Sequence, residues 1–245
     1  MSLVHEFENS GNWLFRRRSW FPVLFAIPGF IILWFTDPLI IRFDLKEEVI
    51  FLAVSLAGQA IRVLTVGFAP GNTSGRNTAD GQIADEINTT GIYSLVRHPL
   101  YIGNFFMWLG PVLFLRSWWF TLTFFLVYWI YYERIMFAEE QYLRRKFGDL
   151  YDRWAEKTNA VLPSFRHFKA PSLTFSFRTV LRREYNSFIN IFVIFTALDF
   201  VRNCSITGKA QITPFWLYLL AGAAILWFTV RTIHKTSSLL TVPGR

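Results

Sequence analysis

Two groups of residues have the types and spacing to do chemistry. The first is Arg97-His98-Pro99-Leu100-Tyr101-Ile102-Gly103-Asn104. Proline suits the first turn of a helix, where its missing N–H is not needed, so His98 is expected at the cap. The amides that follow, with the helix dipole, offer a place for an anion. Arg97 adds a guanidinium fork matched to carboxylate or phosphate. Tyr101, Asn104, Phe105 and Trp108 share one helical face, and Gly103 and Gly110 allow another helix or a cofactor to come close. The second group is Glu133, Glu139 and Glu140. Glu140 and Arg144 stand at i,i+4 spacing, enough to explain one carboxylate as a salt bridge. Its neighbour is then left for a ligand cation, and the two groups together suit a zwitterion. Each residue alone has a plainer reading: Arg97 as a membrane-flanking anchor, His98 as a surface cap, Tyr101 as part of an interfacial aromatic belt.

The elements that position these residues are set by composition. Of the 245 residues, 53% are hydrophobic, 19% aromatic and only 17% charged, which excludes disorder and an ordinary soluble domain. The expected fold class is all-α, a polytopic integral membrane bundle. About six transmembrane helices are expected, over Trp20–Ile41, Val49–Ala69, Leu100–Leu115, Trp118–Phe137, Tyr185–Cys204 and Pro214–Val230. Placing both termini on one side gives that side 19 of the lysines and arginines against five on the other, so both termini are expected in the cytoplasm. The membrane would be a bacterial inner membrane or the endoplasmic reticulum. The net charge of +8 follows from this bias and needs no nucleic-acid partner.

A polar loop is expected over 70–97, where Pro70-Gly71-Asn72 and Ser74-Gly75-Arg76 have turn chemistry. Cytoplasmic interfacial helices are expected over Leu143–Trp154, with Leu143, Phe147, Leu150 or Tyr151, and Trp154 on one apolar face, and over Ser172–Asn186. The single cysteine, Cys204, excludes a disulfide framework, and the four histidines lack metal-ligand spacing, so no metal site is expected.

The run from Thr90 through Arg97-His98-Pro99-Leu100-Tyr101-Ile102-Gly103 resembles a signature of membrane-embedded methyltransferases. These are the isoprenylcysteine carboxyl methyltransferase and phospholipid methyltransferase family. Its second half resembles Glu139-Glu140-Gln141-Tyr142-Leu143, then Phe147-Gly148 and Tyr151 to Trp154, in the same order and spacing. The prenylcysteine enzymes have an R-V-P-like stretch before a final L-P; here Lys157-Thr158-Asn159 stands there, and Leu162-Pro163 aligns.

The resemblance implies S-adenosylmethionine as cofactor. By carry-over, Arg97, His98 and Glu140 are the expected catalytic residues. Arg97, His98, Pro99, Leu100, Tyr101, Gly103, Asn104, Glu139 and Glu140 are the expected cofactor contacts, and Lys157, Trp108 and Trp154 the expected substrate contacts. Residues 1–168 form the expected methyltransferase core, with the signature over 89–163. Residues 169–245 add an interfacial helix and two spans.

The function expected is methyl transfer to the polar head (carboxylate, phosphate or amine) of a membrane lipid or a lipidated small molecule or protein, at the cytoplasmic face. A second expectation is an NADPH-dependent reductase of sterol-like lipids. A third is a non-enzymatic scaffold or transporter.

Overall fold

A computed structural model describes residues 2–71, 73 and 84–245, with residues 21–23 as backbone only. Part of the polar loop, residues 72 and 74–83 with the Ser74-Gly75-Arg76 turn, therefore lies outside the described residues. Among the described residues eight α-helices follow in order: α1 (Leu3–Arg17), α2 (Phe21–Phe35), α3 (Leu45–Phe68), α4 (Pro99–Phe114), α5 (Trp118–Phe147), α6 (Asp149–Ala155), α7 (Phe177–Thr207) and α8 (Pro214–Thr236). Among the described residues there is no strand.

The helix ends follow from local chemistry. Asp44 caps α3, its carboxylate accepting from the amides of Lys46 (2.9 Å) and Glu47 (3.3 Å). Pro70 bars the continuation of α3 beyond Ala69. Gly148 stops α5 at φ 52°, ψ −131°, a conformation that a side chain resists, and α6 starts at the next residue. Arg116 turns the chain between α4 and α5 with φ 51°. Its guanidinium holds that turn by donating to the Ile40 carbonyl at 2.7 Å and pairing with Glu47.

α3 and α4 pack most extensively, α1 lies along α5, α8 lies along α7, and α7 also meets α2, α3 and α4. The α3–α4 crossing is close because Gly103 has no side chain: a Cβ there would stand 2.6 Å from Arg62 Cγ and 2.9 Å from the Gly58 carbonyl oxygen. Gly103 thus admits a neighbouring helix, the first of the two roles open to it from sequence. An aromatic and aliphatic core, including Phe124, Ile135, Phe195 and Trp216, fills the space between the helices.

At the end of α3 remote from the α4 N-terminus, Glu48, Asp199 and Arg202 are fully buried together. Arg202 pairs with both carboxylates, and the Trp216 indole donates to Glu48 at 3.1 Å. Asp199 also accepts from the Thr213 amide at 2.6 Å and the Thr213 hydroxyl at 2.8 Å. This cluster ties α3, α7 and α8 together.

Among the described residues three helices, α3, α7 and α8, are long and apolar enough to cross a membrane, and α1 with α2, bent by 52°, makes a fourth if the two count as one span. The expected six are not confirmed. α2 stops at Phe35 before Asp37-Pro38, short of Ile41, and α4 has only 16 residues. In α5 the tryptophans and tyrosines over 118–132 weaken an otherwise apolar run.

The expected interfacial helix over Ser172–Asn186 is also different: from Phe177 it is the first part of α7, which runs unbroken for 31 residues because no glycine or proline interrupts it. The apolar face of Leu143 and Tyr151 packs on Ala84 and Ile87 rather than facing lipid, a second small core beside the main one. Large apolar side chains such as Phe35, Trp118, Ile225 and Phe228 are instead exposed on the outer faces of the bundle.

Candidate active site

His98 occupies the cap of α4 and Pro99 its first position. The approach to this cap is held by the chain after α6. The amides of Arg97 and His98 donate to the carbonyls of Asn159 (2.9 Å) and Ala160 (3.2 Å), and the Ser164 amide donates to Leu95 at 3.0 Å. The amides of Tyr101 and Ile102 turn back onto the His98 carbonyl at 3.2 and 3.3 Å. The helix start therefore offers fewer open N–H groups than its sequence suggests.

Glu140 on α5 faces this cap. Its Oε1 accepts from Arg97 Nε at 2.8 Å, lies 2.8 Å from Arg97 Nη2, and is 2.9 Å from His98 Nε2. Arg97 Nη1 donates to the carbonyls of Ala155 (2.9 Å) and Thr158 (2.6 Å). All three guanidinium nitrogens of Arg97 are thus engaged, and the residue clips α5 to the segment after α6. The pairing of Glu140 with Arg144 expected from spacing does not form. Arg144 donates to Asp152 at 2.8 Å, because the turn at Gly148 brings α6 back beside the end of α5.

Glu139 is the buried member of the pair. Its Oε2 accepts from the Tyr101 hydroxyl at 3.0 Å and lies 3.7 Å from His98 Nδ1. The His98 and Tyr101 rings stack at 5.7 Å, and the Tyr128 hydroxyl donates to the Tyr101 carbonyl at 2.6 Å. Burial alone would raise the Glu140 carboxyl. The hydrogen bond and charge of His98, then the charge and hydrogen bonds of Arg97, outweigh it and hold the group down at about 2. Burial, and next the Glu140 charge, push the Tyr151 phenol up, so it remains a hydroxyl donor. That hydroxyl is buried beside Glu140 without a hydrogen bond of good geometry.

These groups line one cavity of about 190 Å³. Of the residues singled out from sequence, Arg97, His98, Pro99, Leu100, Tyr101, Asn104, Glu139, Glu140 and Trp154 all line it. Gly103 does not; it lies at the α3–α4 contact. Trp108 faces Phe25, Gly29 and Leu198 in a separate small pocket between α2 and α7. Lys157 and Glu133 are exposed and outside the cavity.

Sequence reasoning missed Arg18, Arg62, Tyr93 and Tyr151, which also line it. Arg62 was legible only as a charge inside an apolar run, which in a membrane wants a partner. A second cavity, about 440 Å³ and almost wholly apolar, adjoins the first. It runs between Ile102, Phe105 and Phe106 of α4, Phe125 and Trp129 of α5, and Leu162-Pro163. His98 and Tyr101 belong to both walls.

Residues 50–150 match the phospholipid methyltransferase family. Over that stretch the chain is similar to this family. The matched segment carries Arg62, Arg97, His98, Tyr101, Glu139 and Glu140 of the cavity, with the first half of the signature and the second half up to Leu150. A protein-S-isoprenylcysteine O-methyltransferase of Schizosaccharomyces pombe is 42% identical over 76 residues, which is 31% of this chain and 32% of the relative. A probable protein-S-isoprenylcysteine O-methyltransferase of Oryza sativa subsp. indica is 32% identical over 125 residues, 49% of this chain and 65% of the relative. The nickel-cobalt-cadmium resistance protein NccN of Alcaligenes xylosoxydans xylosoxydans is 32% identical over 92 residues, 38% of this chain and 43% of the relative. The chain thus spans less than two thirds of the length of each of these three relatives. No solved structure matches it.

Proposed function

We propose that the chain is an S-adenosylmethionine-dependent methyltransferase acting on the polar head of a lipid or lipidated acceptor at the cytoplasmic membrane face. The observation that carries this reading is the meeting of the charged cavity and the apolar groove at His98 and Tyr101. One compartment suits a charged cofactor and the other an acyl or prenyl tail, so the head of the acceptor comes to the wall between them.

The residues present fit the cofactor. The hydrogen bonds to Glu140 land on Oε1 and those to Glu139 on Oε2, so each carboxylate is anchored by one oxygen and keeps the other for a cationic ligand. The Tyr151 hydroxyl is a buried donor beside Glu140 without a well-formed hydrogen bond, and Tyr93 and Trp154 supply flat surfaces for a purine. When bound, the cofactor supplies an electrophilic methyl on a sulfonium sulfur.

The chain supplies alignment, exclusion of water and fixed charge. Glu140, ionised through the physiological range, holds His98 through Nε2. Tyr101 fixes the second carboxylate, and the Tyr128 hydroxyl fixes Tyr101. An anionic acceptor oxygen is already a nucleophile and needs no base; an amine head would give its proton to His98. The position of the termini supports a cytoplasmic site. Arg245 binds the Gly67 carbonyl at the end of α3, and Gly11 of α1 packs against Arg134 and Ala138 of α5, next to Glu139.

Calorimetric titration of the purified protein with S-adenosylmethionine, S-adenosylhomocysteine and NADPH tests the reading. Binding of the first two and not the third is expected. Binding of NADPH alone would replace it with a reductase, and binding of none would leave a scaffold or transporter.

A further inference from the structure

Arg62 lies within α3, away from either half of the signature, and its guanidinium is placed by another helix altogether. Nε and Nη2 each donate to a different oxygen of Glu184 on α7 at 2.8 Å, a two-point pair. Nη1 donates to Asn104 Oδ1 on α4 at 2.6 Å. Gln59 Nε2 adds a third bond to Glu184 at 3.1 Å. Glu184 is buried, its side chain 5% exposed, and Arg62 is 16% exposed where it borders the cavity.

A buried ion pair of this kind gains little over apolar packing, so stability alone does not account for it. The donor count does point to a use. A guanidinium has five N–H groups, and the three bonds above use three of them. Arg97 already uses four of its five N–H groups on Glu140, Ala155 and Thr158, and Arg18, the third arginine of the lining, lies over the Phe15 ring. On the α3–α4 side of the cavity, donor capacity is left at Arg62.

We infer that Arg62 is the group of this cavity that recognises a ligand's anionic oxygen, a carboxylate or phosphate, and that Glu184 of α7 is its positioning residue. The inference rests on the methyltransferase reading for the identity of the ligands. It extends that reading to the C-terminal helices, since Glu184 lies outside the matched residues 50–150. Gly103 of the signature acquires a reason as well: its missing side chain is the space through which the Arg62 stem passes.

Two ligands could bring the anion, the methyl donor or the acceptor, and paired probes separate them. In the donor arm, calorimetry compares S-adenosylmethionine with its decarboxylated form. In the acceptor arm it compares N-acetyl-S-farnesylcysteine with its methyl ester. The expected result is that wild type prefers the carboxylate form in one arm by about tenfold or more, the scale of a hydrogen-bonded charge contact.

Arg62→Gln should erase that preference. Glu184→Gln should reduce it with Arg62 still present, and Arg62→Lys should keep part of it, which separates loss of recognition from loss of fold. A preference unchanged in Arg62→Gln, or absent from wild type in both arms while the ligands bind, overturns the inference alone. Failure of wild type to bind any of the four probes overturns the methyltransferase reading and this inference with it.

Discussion

Glu140 and His98, from two different helices, meet at 2.9 Å through a carboxylate oxygen that Arg97 also holds. This three-way contact fixes the α4 cap against α5 and places the imidazole at the wall between the charged cavity and the apolar groove. Glu140→Gln keeps the shape and removes the charge, so His98 and Arg97 lose their common anchor. The variant should retain its fold and lose about 100-fold or more in kcat/KM, roughly 3 kcal/mol of transition-state stabilisation. Single-turnover methyl transfer, alongside size-exclusion profiles of both proteins, measures this.

The lowered Glu140 value, about 2, also sets a pH window. A carboxylate whose folded value lies below its unfolded one stabilises the fold fully above the unfolded value, and that contribution is lost as pH falls toward the folded value. The difference in thermal midpoint between wild type and Glu140→Gln should therefore be flat from pH 7 down to about 5, then shrink toward pH 2. Thermal unfolding of both proteins in matched detergent buffers checks this. A difference that fades between pH 7 and 6 would assign the titration to another group.

Gly103 makes a steric prediction. A Cβ there meets the Arg62 stem and the Gly58 backbone, and the backbone cannot yield. Gly103→Val should destabilise the protein by about 1–3 kcal/mol, as overpacking does. It should also reduce the carboxylate preference, in whichever arm wild type shows it, because Arg62 is displaced with it. Gly222, around which a Cβ meets nothing, is the control: Gly222→Ala should leave both properties unchanged.

The signature was legible because its chemistry is local in sequence: a proline that starts a helix, a histidine before it, paired glutamates and a glycine that ends α5. Its partners were not. Arg62 and Glu184 are 122 residues apart, and neither stands in a pattern that periodicity detects. The Glu140–Arg144 pairing failed for a similar reason, since the i,i+4 rule assumes a free helix and the Gly148 turn brought Asp152 within reach of Arg144. Hydropathy found the apolar segments, but of the six expected spans three helices, or four with the bent pair, are long and apolar enough, and it does not see where Asp37-Pro38 follows the end of α2 or that α7 absorbs the expected interfacial helix.

The buried cluster at the far end of α3 should behave as structure alone. Arg202→Met leaves Glu48 and Asp199 together without a cation, and breaking such a pair costs about 3–5 kcal/mol. Expression and thermal midpoint should fall sharply. In the fraction that folds, donor affinity should match wild type, as calorimetry would show.

The most direct test of the central claim is transfer itself. Membranes containing wild type or Glu140→Gln are incubated with a tritium-labelled methyl donor, and the organic-soluble fraction is counted. Label should accumulate in that fraction with wild type and remain at background with the variant. Background counts with wild-type membranes that bind the donor, or equal counts from both proteins, would contradict the assignment of this cavity as a methyl-transfer site.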